Sequence, residues 1–169
     1  MGQRLLVAVL GNRNAGKSTT WNYLFDPTGA TTIRTGKHPR PLYLNKAQWV
    51  EVFVVSGSAE EREIDIDVVI PDPLPRIVLC STQYRSSVTT TFDYFFARDF
   101  EVFVQWLNPG YNDAGTYPDT LGLRDHLLNK GATLQLRDGK APLPPRLTDL
   151  RQCILGWATH RDLVKTEFP

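Results

Sequence analysis

The sequence predicts a three-layer α/β domain with a mostly parallel sheet and one antiparallel edge strand. Three observations predict it. Short continuous apolar runs, such as Leu5–Leu10 (LLVAVL) and Arg76–Ser81 (RIVLCS), suit strands buried on both faces. Segments with helical spacing alternate with these runs, the pattern of a parallel sheet covered by helices. After the first helical segment, Leu42–Val55 offers two strand-like pieces joined by the turn-like Asn45-Lys46, an antiparallel pair.

Each element follows in order. Leu5–Leu10 is the first strand, and Gly11–Gly16 is a loop. Lys17–Phe25 (KSTTWNYLF) is a short helix, stopped by Asp26-Pro27. Thr28–Pro41 is polar and rich in glycine and proline, and reads as a mobile loop. The Leu42–Val55 pair comes next. Ser58 with Glu61 three residues on is a capping box that opens a helix. Arg76–Ser81 is a strand and Val88–Ala97 a helix. Phe100–Leu107 (FEVFVQWL) is a strand ended by Asn108-Pro109-Gly110. Leu121–Asn129 is a helix with Lys130-Gly131 as its stop, and Ala132–Leu136 is the last strand. Pro142, Pro144 and Pro145 break the chain, and Leu147–Val164 closes the domain as a helix.

The 169 residues suffice for one domain, 1–169, with a single core. With 41% hydrophobic and 22% charged residues the chain is not of disordered composition. A net charge of +1 gives no general attraction to nucleic acid or to anionic membrane. Cys80 and Cys153 sit in apolar surroundings without metal-ligand spacing and read as buried free thiols. Gln3 and Arg4 are followed by only six apolar residues before Gly11, which is not a secretory signal. No apolar run is long enough to cross a membrane. The expected compartment is the cytoplasm.

The chemistry is concentrated in GNRNAGKST, Gly11–Thr19. The pattern GxxxxGK[ST] is met at Gly11, Gly16, Lys17 and Ser18, between a strand and a helix. Such a loop turns its backbone N–H groups inward as an anion nest, and the following helix adds its positive end. The expected nucleotide contacts are Gly11, Asn12, Asn14, Ala15, Gly16, Lys17, Ser18 and Thr19. Lys17 would reach the β- and γ-phosphates and neutralise charge in a transition state, Ser18 would ligate Mg²⁺, and Thr19 would touch the α-phosphate. This is the signature of a P-loop nucleoside triphosphatase.

The segment VAVLGNRNAGKSTTWNYLF resembles the GxxNxGKSTLxNxL stretch of the translation-factor-class GTPases, most closely the Era and TrmE branch. Asn14 and Asn22 fall on that branch's two asparagines; Thr20 and Trp21 depart from its apolar pair. The antiparallel pair after the first helix extends the resemblance and implies a GTPase-like strand order. The resemblance also implies a threonine, in the loop before the second strand, that closes over Mg²⁺ and the γ-phosphate. Thr35 stands at a similar spacing, with Thr31 and Thr32 as alternatives, and would be both a catalytic residue and a metal ligand.

Two family motifs are degenerate. The Asp-x-x-Gly at the end of the third strand is replaced by Ser56-Gly57-Ser58-Ala59, without the aspartate; Glu60 or Glu61 could lie near the metal in its place, but as first-turn helix residues they read as solvated. The guanine-reading Asn-Lys-x-Asp is replaced by Asn108-Pro109-Gly110-Tyr111-Asn112-Asp113. Asn108 stands at the right strand end as a candidate base contact, Pro109 takes the lysine's place, and a plain Pro-Gly turn is the alternative. The base-contacting loop after the last strand would fall at Arg137–Lys140.

The expected function is therefore Mg²⁺-dependent binding of GTP or ATP with slow hydrolysis, in a switch or scaffold that answers to a protein partner. Two alternatives stay open. One is a small kinase, with Gln83, Tyr84 and Arg85 at a substrate mouth and Arg124 acting from a lid. The other is a non-catalytic interaction module, its partner surface marked by the aromatic residues of Ser81–Tyr117. His38, His126 and His160 are scattered and read as structural or surface residues.

Overall fold

The computed structural model describes residues 2–168. It is an α/β sandwich built on a six-stranded sheet in the order β2-β3-β4-β1-β5-β6. Strand β1 (Arg4–Gly11) is central, paired in parallel with β4 (Ile77–Gln83) and β5 (Phe100–Leu107). Strand β3 (Trp49–Val55) pairs in parallel with β4, and β6 (Thr133–Arg137) with β5. Strand β2 (Arg40–Tyr43) is the antiparallel edge, with Leu42 opposite Val50.

The period-two alternation of β1 separates two cores. Leu5, Val7 and Val9 face α1 (Lys17–Phe25) and α5 (Pro144–Thr159), packing with Trp21, Leu24, Leu150 and Ile154. Leu6, Ala8 and Leu10 face the other way, against α3 (Val88–Phe96) and α4 (Leu123–Asn129) through Phe92, Phe95 and Leu127. Sheet and two helical layers make the three layers. Because both faces of β1 are covered, its apolar run is continuous rather than alternating.

The expected element order holds, with shifts at several ends. Helix α1 has the expected bounds. Helix α5 starts at Pro144, not Leu147: a proline in the first turn gives up an N–H that would have no helical partner, so Pro144 and Pro145 open the helix instead of breaking the chain. It ends at Thr159, and Leu163 packs on the core from beyond it. The capping box forms, with Ser58 Oγ accepting from the Glu61 N–H at 3.1 Å, but α2 (Ala59–Arg62) is a single turn. Cys80 and Cys153 are free thiols; Cys80 is buried, whereas Cys153 is half-buried on α5.

The spatial order bears on the site. From β1 the chain runs through α1 to β2 and β3, returns through α2 to β4 beside β1, and then crosses to β5. Strand β4 thus lies between β3 and β1. The end of β3 stands two interstrand spacings from β1, about 10 Å. The carboxyl ends of β4 and β5 flank the loop after β1, where open α/β sheets place their ligands.

Candidate functional site

The loop after β1 takes the conformation that its residue types permit. Asn14 has φ 59° and Gly16 has φ 102°, both left-handed; asparagine tolerates this region and glycine does so without steric cost. A Cβ on Gly11 would lie 2.7 Å from the Ala15 Cβ, so only glycine lets the loop fold back over the end of β1. Gly16 is the N-cap of α1 and offers no side chain to it. The first helical N–H groups are left pointing out of the end of the helix, and Thr20 is the first to bond within it, to the Gly16 carbonyl at 3.1 Å.

Lys17 is buried and folds back over the loop. Its Nζ donates to the carbonyls of Gly11 at 3.1 Å and Asn12 at 2.7 Å, and stands 3.6 Å from the Glu61 carboxylate. Burial lowers the Lys17 pKa, opposed chiefly by Glu61. The next residue, Ser18, is exposed at the mouth. Asn14, Ala15, Gly16, Lys17, Ser18 and Thr19 all line an open cleft of about 1410 Å³, together with Ser56 and Glu61.

The two departures from the apolar pair have structural reasons. Trp21 is fully buried, and its indole N–H donates to the Ser81 hydroxyl at 2.9 Å, which joins α1 to β4. The Thr20 hydroxyl donates to the Gly16 carbonyl at 2.8 Å and accepts from Arg146 at 3.0 Å. Asn22 serves the polar loop, its Oδ1 accepting from the Ile33 N–H at 2.8 Å. That loop is further pinned by Asp26, which accepts from the Thr28 and Thr31 N–H groups, each at 3.0 Å. Hydrogen bonds from Thr28, first of all its side chain, hold the Asp26 carboxyl down at about 2.

Four expected site residues, Gly11, Asn12, Thr35 and Asn108, are not on the cleft lining. Thr35 is tied to the end of β3, its hydroxyl accepting from the Ser56 N–H at 3.0 Å, and Ser56 rather than Thr35 lines the cleft. Asn108 spends both ends of its amide on Tyr117: Nδ2 donates to the Tyr117 carbonyl at 2.9 Å, and Oδ1 accepts from its N–H at 3.0 Å. Gly11 is buried and Asn12 half-buried. Asn12 Nδ2 donates to Asp113 at 3.3 Å, and the same carboxylate accepts from the Gly110 N–H at 2.7 Å. With the Tyr111 N–H donating to the Ala15 carbonyl at 3.0 Å, the loop after β5 is fastened onto the loop after β1.

Two carboxylates expected as solvated first-turn residues stand at the site. Glu60 is buried, not solvated. It accepts from the Gln83 N–H at 2.8 Å and from the Thr91 hydroxyl at 2.5 Å, and burial raises its pKa. Glu61, on the same turn, reaches Lys17. The capping box placed these residues on a helix; only the approach of that helix to the end of β4 brings them to the loop. Arg85, expected at a substrate mouth, donates to the Glu60 carbonyl at 2.9 Å, and Arg124 is exposed on α4. Tyr84, Trp106 and Tyr117 pack on one another, with centroids 5.3 Å apart for the first pair and 5.2 Å for Tyr84 with Tyr117. They form a brace at the ends of β4 and β5, while Tyr111 is exposed on the cleft rim.

Residues with hard oxygen donors, Ser18, Ser56 and Glu61, line the cleft, and the Glu61 carboxylate stands by Lys17 of the loop. A hydroxyl and one carboxylate are what a nucleotide-bound Mg²⁺ commonly takes from protein, the phosphates and water supplying the rest. Among the described residues, no group of three or more His, Cys, Asp or Glu side chains forms a protein-only metal centre. No helix among them is long and apolar enough to cross a membrane. No protein-family model matches the chain, and no curated protein matches it.

Proposed function

We propose that this chain is a P-loop domain that binds a nucleoside triphosphate with Mg²⁺ and hydrolyses it slowly. One observation carries the reading: a glycine-shaped loop and an uncapped helix N-terminus meet at a buried lysine on the wall of an open cleft. In that arrangement the N–H groups of the loop and of α1 cradle phosphate oxygens. Lys17 turns from the Gly11 and Asn12 carbonyls towards the phosphates. Ser18 and Glu61 would hold Mg²⁺, which supplies charge neutralisation at the phosphates when bound. The base is left as guanine or adenine. Asn108 is engaged elsewhere, and Ser56 ends a strand one place removed from β1, so the features that would specify a GTPase switch contribute little. A protein partner in the cytoplasm belongs to the switch form of this reading.

Transfer of the γ-phosphoryl group to a small molecule is the second reading. The size of the cleft favours it. At about 1410 Å³ it exceeds the 300–1,000 Å³ of an ordinary ligand pocket, and it continues past the loop along α1 to α5.

Calorimetric titration with ATP and GTP in the presence of Mg²⁺ tests binding. Wild type should bind at least one of them, and Lys17→Ala should lose about ten- to a hundredfold in affinity, the worth of charge-assisted hydrogen bonds. If neither nucleotide binds and Lys17→Ala changes nothing, the reading fails. Phosphate release with and without small acceptors then separates hydrolysis from transfer.

A further inference from the structure

Arg146 has a charge that the fold does not neutralise. Its residue is only 5% exposed, in the first turn of α5. Both side-chain hydrogen bonds leave from Nη1, to the Thr20 hydroxyl at 3.0 Å and to Gln105 Oε1 at 2.9 Å. Nε is buried without a partner. Among the described residues, the ion pairs involve other cations, and none reaches Arg146. Burial alone drags its pKa down to about 10, with no acid to oppose it. Arginine is almost never this buried unless it is paired.

What Arg146 does face is the cleft, whose wall it shares with Lys17. Arg151, half-buried further along α5 and donating to the Leu24 carbonyl at 3.2 Å, and Lys46, exposed in the turn after β2, line the same cleft. The one carboxylate on the lining, Glu61, lies beside Lys17. Thr20 connects the two ends, bonding to Gly16 of the loop and to Arg146. A turn of α1 therefore separates the loop after β1 from Arg146, a second cation that no carboxylate opposes.

We propose that the α1–α5 end of the cleft is a second anion subsite, where Arg146, with Arg151 and Lys46 at its rim, binds the oxyanion of a small second ligand held beside the nucleotide. A guanidinium held by Nη1 keeps Nη2 for such a group, and its planar fork suits phosphate or carboxylate. The proposal shares its cleft with the nucleotide reading and deepens it, by naming the chemistry of the second molecule that so large a cleft admits.

Inorganic phosphate is the probe, acetate the second arm, and sodium chloride at equal ionic strength the control. Thermal unfolding is followed in a Lys17→Ala background, which removes the loop's main cation. Phosphate should still raise the melting temperature of Lys17→Ala, and adding Arg146→Met should abolish that rise. Arg151→Gln together with Lys46→Gln should weaken the response severalfold, and this pair decides the matter if Arg146→Met does not fold. A larger response to phosphate than to acetate assigns a phosphorylated ligand; the reverse assigns a carboxylate. The proposal is overturned if Lys17→Ala alone removes the response, if the response matches chloride, or if neither set of substitutions changes it. Nucleotide binding by wild type alongside any of those outcomes would leave the proposed function standing and sink the second subsite alone.

Discussion

Lys17 Nζ and the Glu61 carboxylate stand 3.6 Å apart at the loop after β1. Glu61 is partly exposed, so solvent screens the pair, and its worth is about 1 kcal/mol or less. An entering phosphate must take Lys17 from this carboxylate. Divalent cation changes the sign of that contest, because the same carboxylate can then face a positive ion. Glu61→Gln should therefore bind nucleotide about two- to fivefold more tightly when Mg²⁺ is chelated, and should gain less than wild type when Mg²⁺ is restored. Calorimetry in EDTA and in Mg²⁺ measures both affinities. An unchanged ratio between the two conditions would remove Glu61 from the site.

Burial lowers the Lys17 pKa below the ordinary 10.5. Phosphate binds the charged lysine, so binding takes up a proton once the free protein has begun to lose it. Affinity for a non-hydrolysable nucleotide should be flat at about pH 8, where the phosphates are already fully ionised, and should fall at a lower pH than for a solvated lysine. Since Glu61 supports the charge, Glu61→Gln should bring the fall to lower pH. A profile that stays flat to the ordinary lysine value would show that Lys17 does not carry the binding.

The Trp21 indole and the Ser81 hydroxyl form a buried bond of 2.9 Å between α1 and the sheet. Ser81→Ala strands a buried N–H and should cost about 1–3 kcal/mol in urea unfolding. Trp21→Phe removes the donor and some volume, also at about 1–3 kcal/mol. The double variant should cost less than the sum, because Ser81→Ala strands nothing once the donor is gone. Strict additivity would mean that the bond contributes nothing.

The loop and its two flanking elements were legible because their signals are local. LLVAVL must be buried on both faces, glycines are needed where φ is positive or a backbone passes close, and KSTTWNYLF forms a helix within its own length. Helix α1 and strand β5 have the bounds that the sequence predicts. The first turn of α5 lies earlier than the sequence predicts, because Pro144 and Pro145 read as breakers along the chain although the start of a helix is where proline is tolerated.

The local sequence, then, determined that strand, loop and helix meet at Gly11–Thr19, and that the domain has three layers. Tertiary structure decided what surrounds that loop. Strand order is set by which apolar faces pack together across long separations, and it put β4 rather than β3 beside β1. That choice left Ser56 on the cleft wall beyond β4 and brought α2, with Glu60 and Glu61, to the end of β4. It also buried Arg146 against Thr20 and Gln105, from positions 126 and 41 residues away. Charge and residue type can be read along a chain; whether a charge is solvated, paired or buried alone depends on which distant elements the fold packs around it.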